Sequence, residues 1–181
     1  MNILRSIFLG TFLILLMNVQ AQEGELFPVL VGETLEENTI ELPKATEGKV
    51  TILGMAYSKK AESTLKTWYQ PMYDKFVLKL GIFDQFYDVN MYFIPMYTGG
   101  KKAAYDLTMK KLKESNRTDL FPYILFYKGD MDPYLETLGM ENKNLPYFFV
   151  LDEKGTVLYA AKGLFSEEKM EKIEEILDSR L

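Results

Sequence analysis

Apolar and polar residues alternate along this chain in blocks whose lengths predict strands and helices in a regular order. The first strong block, residues 50–57, is an apolar run of strand length. It leads through a short polar loop into a predicted helix over residues 60–80, with its apolar side chains on one face. Pro71 inside that helix removes a backbone hydrogen bond, so we expect a kink there, and Gly81 is expected to end the helix.

Further blocks give the remaining elements. Alternating segments predict a hairpin over residues 35–43, strands over 89–97 and 121–127, and a second hairpin that joins 147–151 to 156–161. Helical patterns follow at 101–115, at 132–138 with Asp132 as N-cap, and after the capping residue Ser166. This order of elements predicts an α/β fold, a three-layer α/β/α sandwich with a mixed sheet. The first strand–loop–helix unit and the proline that enters the second hairpin are typical of a thioredoxin-like fold.

The first 21 residues have the pattern of a secretory signal peptide. Arg5 precedes an apolar run over residues 7–17, and Val19 and Ala21 occupy the small-residue positions before the cleavage site. The run is shorter than the roughly 20 residues of a membrane-spanning helix, although a retained anchor is the alternative. We therefore predict a signal peptide over 1–21, a thioredoxin-like domain over 22–181, and a periplasmic or secreted location without stable membrane insertion after cleavage.

The amino-acid composition excludes several classes of reaction and of metal site. The chain contains no cysteine and no histidine, which excludes thiol exchange, a cysteine peroxidase, imidazole catalysis and ordinary zinc sites. Its formal net charge of −5 argues against a nucleic-acid partner. No spacing of acids matches a dedicated calcium loop, and we expect no cofactor. Any catalysis would have to use carboxylate, Lys, Arg, Tyr, Ser or Thr groups.

Two separated blocks resemble a known family. The first is Lys49-Val50-Thr51-Ile52-Leu53 with Trp68 and Pro71, and the second comprises residues 127–130, 138–143 and 147–152. Together they are similar to the mitochondrial ATP-synthase assembly-chaperone family, whose members help the membrane subunit a join the enzyme. More broadly the chain resembles TlpA-like envelope thioredoxins, with Lys60 and Ser63 near the positions of their two cysteines. The resemblance implies a thioredoxin-like domain used for binding or assembly, and the predicted export leaves its client open.

A peptide groove is the first candidate site. In thioredoxin-like folds the residue before the hairpin proline offers its backbone to an extended client by strand addition, beside the loop after the central strand. The resemblance in fold therefore implies a cis Leu145–Pro146 bond and a peptide-binding groove lined by Tyr57, Lys59, Lys60, Leu145 and Pro146. The alternatives are a solvated loop whose lysines oppose the helix dipole, and an anion bound at the helix start.

An aromatic segment at Phe83, Phe86 and Tyr87 is the second candidate. It stands next to acids and outside any clear element, whereas we assign most other aromatic residues to the core. Exposed apolar groups of this kind mark surfaces that meet partners. We therefore predict an alternative partner surface at these three residues.

Three functional hypotheses follow from these patterns. The first is a non-redox binding or assembly factor of the cell envelope, whose partner is a protein or peptide client rather than a substrate for thiol chemistry. The second is a degenerate redox-family enzyme scaffold that uses carboxylate, Lys or Tyr chemistry on a small molecule. The third is a redox domain that has lost its cysteines and now acts structurally. A deep pocket with two converging, perturbed acids would favour the enzyme.

Overall fold

Residues 22–114 and 118–181, which a computed structural model of the protein describes, form one mixed sheet with helices on both faces. The predicted signal peptide lies outside these residues. The strands are β1 (Leu30–Thr34), β2 (Thr39–Leu42), β3 (Thr51–Ala56), β4 (Asn90–Thr98), β5 (Leu125–Gly129), β6 (Tyr147–Leu151) and β7 (Val157–Lys162). The α-helices are α1 (Lys59–Leu65), α2 (Tyr69–Tyr73), α3 (Tyr105–Lys113), α4 (Asp132–Leu138) and α5 (Glu167–Asp178). Within the described ranges, no helix has the length and apolar character needed to cross a membrane.

The sheet combines parallel and antiparallel pairs. Its strands lie in the order β2-β1-β5-β4-β3-β6-β7. The three neighbouring strands β3, β4 and β5 are parallel, whereas the hairpins β1–β2 and β6–β7 add antiparallel strands on either side. The predicted α/β sandwich around a mixed sheet is therefore confirmed.

The central strand β3 explains the apolar run at residues 50–57. It pairs with β4 and β6, and all six of its residues are buried. Ile52 packs with Trp68 and α5 on one face, whereas Leu53 packs with Tyr134 of α4 on the other. A strand covered on both faces has no polar side, so its sequence does not alternate.

The predicted helix after β3 is divided into four pieces. α1 passes through a 3₁₀ turn at Lys66–Trp68 into α2, and a π-helical turn at Asp74–Leu78 follows. Pro71 accounts for the first break, because its ring lacks an N–H and crowds the carbonyl four residues earlier, within the 3₁₀ turn. Lys79, in the left-handed conformation at φ 53°, ends the helix rather than Gly81.

Trp68 joins this helical layer to the C-terminal hairpin. Its side chain is fully buried, and its ring stacks on Phe148 with the centroids 3.8 Å apart. Its indole N–H donates to the Gly163 carbonyl at 3.0 Å, and Phe165 meets the ring edge-on. These contacts fix the helix after β3 against β6 and against the chain that enters α5.

The turns of the C-terminal half confirm the predicted hairpin and final helix. The carboxylate of Asp152 accepts the N–H groups of Lys154 and Thr156, which closes the turn between β6 and β7. Ser166 Oγ accepts the N–H of Lys169 and caps α5, as predicted.

Two predicted elements require correction. The strand expected over 121–127 begins only with β5, because a 3₁₀ helix occupies Thr118–Tyr123. Pro122 lies in that helix, and its missing N–H could not join a strand ladder. The other correction is small, because Met131 rather than Asp132 is the N-cap of α4.

Gly54 tests the packing of β3 against the helical layer. A Cβ added at Gly54 would lie 2.7 Å from Cε1 of Phe148 and 3.0 Å from Cδ1 of Leu65. The Phe148 ring cannot withdraw easily because it is stacked on Trp68. We expect Gly54→Ala to lower the free energy of unfolding by about 1–3 kcal/mol, measured by denaturant titration of the Trp68 fluorescence.

Gly100→Ala is the matched control. An added Cβ at Gly100 meets no atom within 4 Å, so this variant should change stability by less than about 1 kcal/mol, in the stabilising direction. Equal effects of the two substitutions would contradict the packing described for β3.

Candidate functional site

The first predicted site forms where β3 ends and β6 begins. Met55 is paired with Tyr147 in the antiparallel ladder. The chain before Tyr147 therefore brings Leu145 and Pro146 alongside the residues that follow β3, where Tyr57 begins the loop. The structure thus brings together the two halves of the predicted groove.

Ser58 connects this loop to α1. Its Oγ accepts the N–H of Ala61 at 3.0 Å and caps the helix. Lys59 and Lys60 follow in the first turn, and both are exposed. Ser63 is also exposed, so the two positions near which TlpA-like proteins carry cysteines offer an ammonium and a hydroxyl group instead of thiols.

Three backbone groups of the groove already have partners. The Tyr57 carbonyl accepts Nζ of Lys101 at 2.6 Å, and the N–H of Leu145 donates to the Asn142 carbonyl at 3.2 Å. The Pro146 carbonyl accepts the N–H of Gly163 at 2.9 Å. A client strand that used the Leu145 N–H or the Tyr57 carbonyl would have to displace one of these bonds.

The expected cis bond at Leu145–Pro146 is wrong. Within the described residues the cis peptide bond is Leu42–Pro43, so Leu145–Pro146 is trans. The chain is led into β6 instead by the turn from Asn142, whose N–H donates to the hydroxyl of Tyr147 at 2.8 Å. Client binding at this groove stays a prediction, and it no longer has the support of a cis Leu145–Pro146 bond.

The Tyr57 hydroxyl ties the loop to the segment after α4. It donates to the Met140 carbonyl, and the side chain is half-buried. Burial raises the pKa of Tyr57 to about 12, and Tyr147 and Glu141 add to the shift. The hydroxyl therefore stays protonated at neutral pH and acts as a structural donor.

Two further residues belong to this end of the sheet. Lys101 reaches the loop because β4 is parallel to β3, so that the two strands end side by side. Glu62 is half-buried in α1, where burial raises the pKa of its carboxyl while Lys101, Lys66 and Lys59 oppose the shift. The sequence signal for Lys101 was its position directly after the Gly-Gly pair that ends β4.

The second predicted site lies at the opposite end of the sheet. Since β3 and β4 are parallel, the chain after α2 must return to the end where β3 began. That return carries five large apolar side chains, here called the apolar loop, at Leu78, Leu80, Ile82, Phe83 and Phe86. They are 49%, 70%, 82%, 72% and 55% exposed, respectively, so the prediction of exposed Phe83 and Phe86 is confirmed.

A buried carboxylate holds the apolar loop in shape. Asp84 is 5% exposed, accepts the N–H of Gly81 at 2.7 Å and pairs with Nζ of Lys75 at 3.2 Å. Lys75 also pairs with Glu174 of α5 at 2.8 Å. Burial lowers the pKa of Lys75, but its bonds to Glu174 and Asp84 outweigh that effect and raise it. A Cβ at Gly81 would lie 2.7 Å from the Asp84 carboxylate, which leaves room for glycine alone.

The sequence pattern predicted that Tyr87 is exposed with Phe83 and Phe86, but the structure shows that it is buried and anchors this segment. Its side chain is buried, its ring packs against Phe76, and its hydroxyl donates to Asp178 of α5 at 2.8 Å. The exposed part of this segment therefore consists of Phe83 and Phe86 with the aliphatic residues of the apolar loop. Tyr87 secures the end of that loop to α5.

Shallow grooves flank the apolar loop. One, of about 200 Å³, runs along Leu80 and is lined by Pro71, Asp74, Phe165, Glu167 and Met170. Another, also of about 200 Å³, runs along Phe86 towards Leu177 and Arg180. Both are open and partly apolar, as expected of a surface that meets a partner rather than a pocket that encloses a small molecule.

Acidic residues line a further groove among the described residues. A groove of about 440 Å³ between the β1–β2 hairpin and α3 is lined by Glu33, Glu37 and Glu114. The hydrogen bond from Lys113 lowers the pKa of Glu37, which is the wrong direction for a general acid at neutral pH. In the described ranges, no group of three acids could hold a metal ion.

Comparison with known proteins bears on these surfaces. The family model described as ATP10 protein matches residues 14–178. A search of curated proteins gives no significant match. The match to the family covers the strand–loop–helix unit, both candidate surfaces and the C-terminal hairpin and helix.

Solved structures establish the fold. The C-terminal domain of a putative thiol-disulfide oxidoreductase from Bacteroides thetaiotaomicron has a TM-score of 0.53 at 14% identity, covering 88% of this chain and 99% of that one. The exposed lipoprotein thioredoxin Etrx1 from Streptococcus pneumoniae has a TM-score of 0.54 at 15% identity, covering 82% and 99%. A putative thiol:disulfide interchange protein DsbE from Chlorobium tepidum has a TM-score of 0.53 at 18% identity, covering 86% and 96%. The predicted thioredoxin-like fold is confirmed.

Glu62 gives a test of the first site. Its raised pKa means that, between the usual value of 4.5 and the folded value, the folded protein holds a proton that the unfolded chain has released. Stability should therefore fall as pH rises through that window, and Glu62→Gln should remove this part of the pH dependence. Thermal unfolding should give the variant a higher Tm than the wild type at pH 7, with the difference vanishing below pH 4.5.

The exposed acid Glu136 on α4 provides the control, because Glu136→Gln should leave Tm at pH 7 close to that of the wild type. A Glu62→Gln effect of constant size across pH would show that the carboxyl is not destabilised by burial.

Proposed function

This chain belongs to the ATP10 protein family, and we propose that it is a non-redox binding or assembly factor of the cell envelope that holds a protein client through the apolar loop. Family membership favours an assembly role over catalysis. The thioredoxin-like fold supplies a rigid scaffold on which a binding surface can be built.

The absence of thiols supports the non-redox part of this proposal. The three similar structures are an oxidoreductase domain, a thioredoxin and an interchange protein, but this chain has no cysteine with which to exchange disulfides. Ser58 lies in the loop after β3 and Lys59 and Lys60 begin α1, and none of them supplies a sulfur nucleophile. The scaffold therefore persists without the thiol chemistry of the similar proteins.

The apolar loop is the observation that carries the proposal. Burying one large apolar side chain is worth about 1.5–3 kcal/mol, and here five such side chains within nine consecutive residues remain 49% to 82% exposed. The loop does not collapse onto the core because Asp84, Lys75 and Tyr87 hold its backbone in place. A fixed apolar surface of this kind gains free energy when a partner covers it.

The envelope location rests on the leader pattern over residues 1–21. An exported protein without cysteine can act outside the cytoplasm without depending on oxidative folding. One of the similar structures, from Streptococcus pneumoniae, is described as an exposed lipoprotein. These points support a client of the cell envelope.

Substitution in the apolar loop tests the proposal. We expect the double variant Ile82→Ser/Phe83→Ser to reduce client capture about tenfold or more, because it removes two apolar contacts from the centre of the surface. The denaturation midpoint should hardly move, since both side chains are exposed in the folded protein. The measurement is quantitative pull-down from the envelope fraction of the native host.

Leu107→Ser is the matched control, because Leu107 is 56% exposed on α3, away from the apolar loop. It should leave capture unchanged. If Tyr57→Ala or a Lys59/Lys60 double change abolishes capture while Ile82→Ser/Phe83→Ser does not, the client binds at the first site and the proposed surface is wrong.

A further inference from the structure

The charge beside the apolar loop is unevenly distributed. Four acids of α5 at helical spacing share one side of that helix, here called the acidic stripe, namely Glu167, Glu171, Glu174 and Asp178. Its members Glu174 and Asp178 contact Lys75 and Tyr87, so the stripe runs directly along the apolar loop. The two lysines of α5, Lys169 and Lys172, lie away from this side, and Arg180, beyond the helix, pairs with Glu153 at 2.7 Å.

Much of this negative charge is not neutralised within the chain. Glu167 and Glu171 are exposed, and in the described residues neither makes an ion pair. The carboxylate of Asp74, which lines the groove along Leu80 with Glu167, accepts the side-chain amide of Gln70 at 2.7 Å and makes no ion pair within the described ranges. A partner that covers this groove would also meet Lys75, but that ammonium group already pairs with Asp84 and Glu174, whereas Asp74 and Glu167 have no ion pair among the described residues.

The cations near the loop do not offset these acids. Lys75 is shared by Asp84 and Glu174, and Lys49 pairs with Asp88 at 2.6 Å. Lys79 is the one cation of the loop without an ion pair among the described residues. The field at the apolar loop is therefore negative.

We infer that the partner seated on the apolar loop is a protein segment that combines apolar side chains with lysine or arginine residues. This inference rests on the proposed function and names the chemistry of the client. The apolar side chains cover Leu80, Ile82, Phe83 and Phe86, and the basic groups meet Asp74 and the acidic stripe. Opposite charge on the two partners speeds their encounter and fixes the register of binding.

The same charge disfavours other occupants of this surface. An anionic lipid surface would be repelled by the acidic stripe, although exposed leucine and phenylalanine could otherwise enter a bilayer. A second copy of the chain would place two acidic stripes against each other, which is also unfavourable. A basic, apolar protein segment is the occupant that satisfies both properties of the surface.

Two designed peptides test this inference against the protein purified from its native host. The first probe is an amphipathic peptide of leucine and lysine of about 18 residues, and the second carries glutamate in place of every lysine. We expect the lysine peptide to bind with a Kd about tenfold or more below that of the glutamate peptide. Its Kd should rise between about 50 mM and about 300 mM NaCl, because salt screens exposed charges. Fluorescence anisotropy measures both.

Three variants locate the binding. Ile82→Ser/Phe83→Ser should weaken the lysine peptide about tenfold, and Glu167→Lys/Glu171→Lys should reverse the preference between the two peptides. Glu136→Lys changes the charge of an exposed acid on α4 and should leave the preference as it is. Equal weakening by Glu136→Lys would overturn the inference, because it would show attraction to net charge alone.

Two other outcomes would also overturn it. One is equal affinity for the lysine and glutamate peptides. If Ile82→Ser/Phe83→Ser still loses client capture in that case, the proposed function stands and the client is not basic. The other is loop-dependent binding to vesicles of phosphatidylglycerol and phosphatidylcholine without binding to the lysine peptide, which would make the occupant a membrane. If the loop variant loses neither peptide nor client, both the inference and the proposed function fail.

Discussion

The pairing of β3 with a parallel β4 and an antiparallel β6 is the constraint on which the rest of the structure depends. It buries every residue of β3, which commits both faces of the sheet to helical cover. Because β3 and β4 are parallel, the chain must also run back from the end of β3 to the start of β4. The loop after β3 and the loop before β4 therefore lie at opposite ends of the sheet. The two candidate surfaces are therefore physically independent, and a substitution at one can be interpreted without disturbance at the other.

The two ends differ in what their polar groups do. At the Tyr57 end, Lys101, Met140 and Asn142 satisfy the backbone and hydroxyl groups internally, which leaves little for a client strand to bond. At the other end, the buried Asp84 fixes a turn whose apolar side chains face outward. Thus the loop after β3 is tied into the fold by its own hydrogen bonds, while the opposite end carries the exposed side chains of the apolar loop.

Local patterns in the sequence predicted most elements, because a buried strand, a capped helix and a proline each leave a signal within a few residues. The apolar run of β3, the cap at Ser166 and the break near Pro71 are of this kind. The role of Tyr87 could not be predicted, since its partner Asp178 is 91 residues away. Lys101 and the Tyr57 carbonyl are likewise 44 residues apart, so local patterns do not reveal their contact. Exposed Phe83 and Phe86 were predictable because no periodic element surrounds them.

Site-specific photo-crosslinking shows whether the client contacts the apolar loop or the Tyr57 end. The photoreactive residue benzoylphenylalanine would replace Phe83 in one variant and Lys60 in another, both of them exposed positions. Irradiation of the native host followed by mass spectrometry would identify the adducts. We expect one protein to be crosslinked from position 83 and not from position 60, with the adduct lost when Ile82→Ser is added. Adducts formed from position 60 alone would contradict the account.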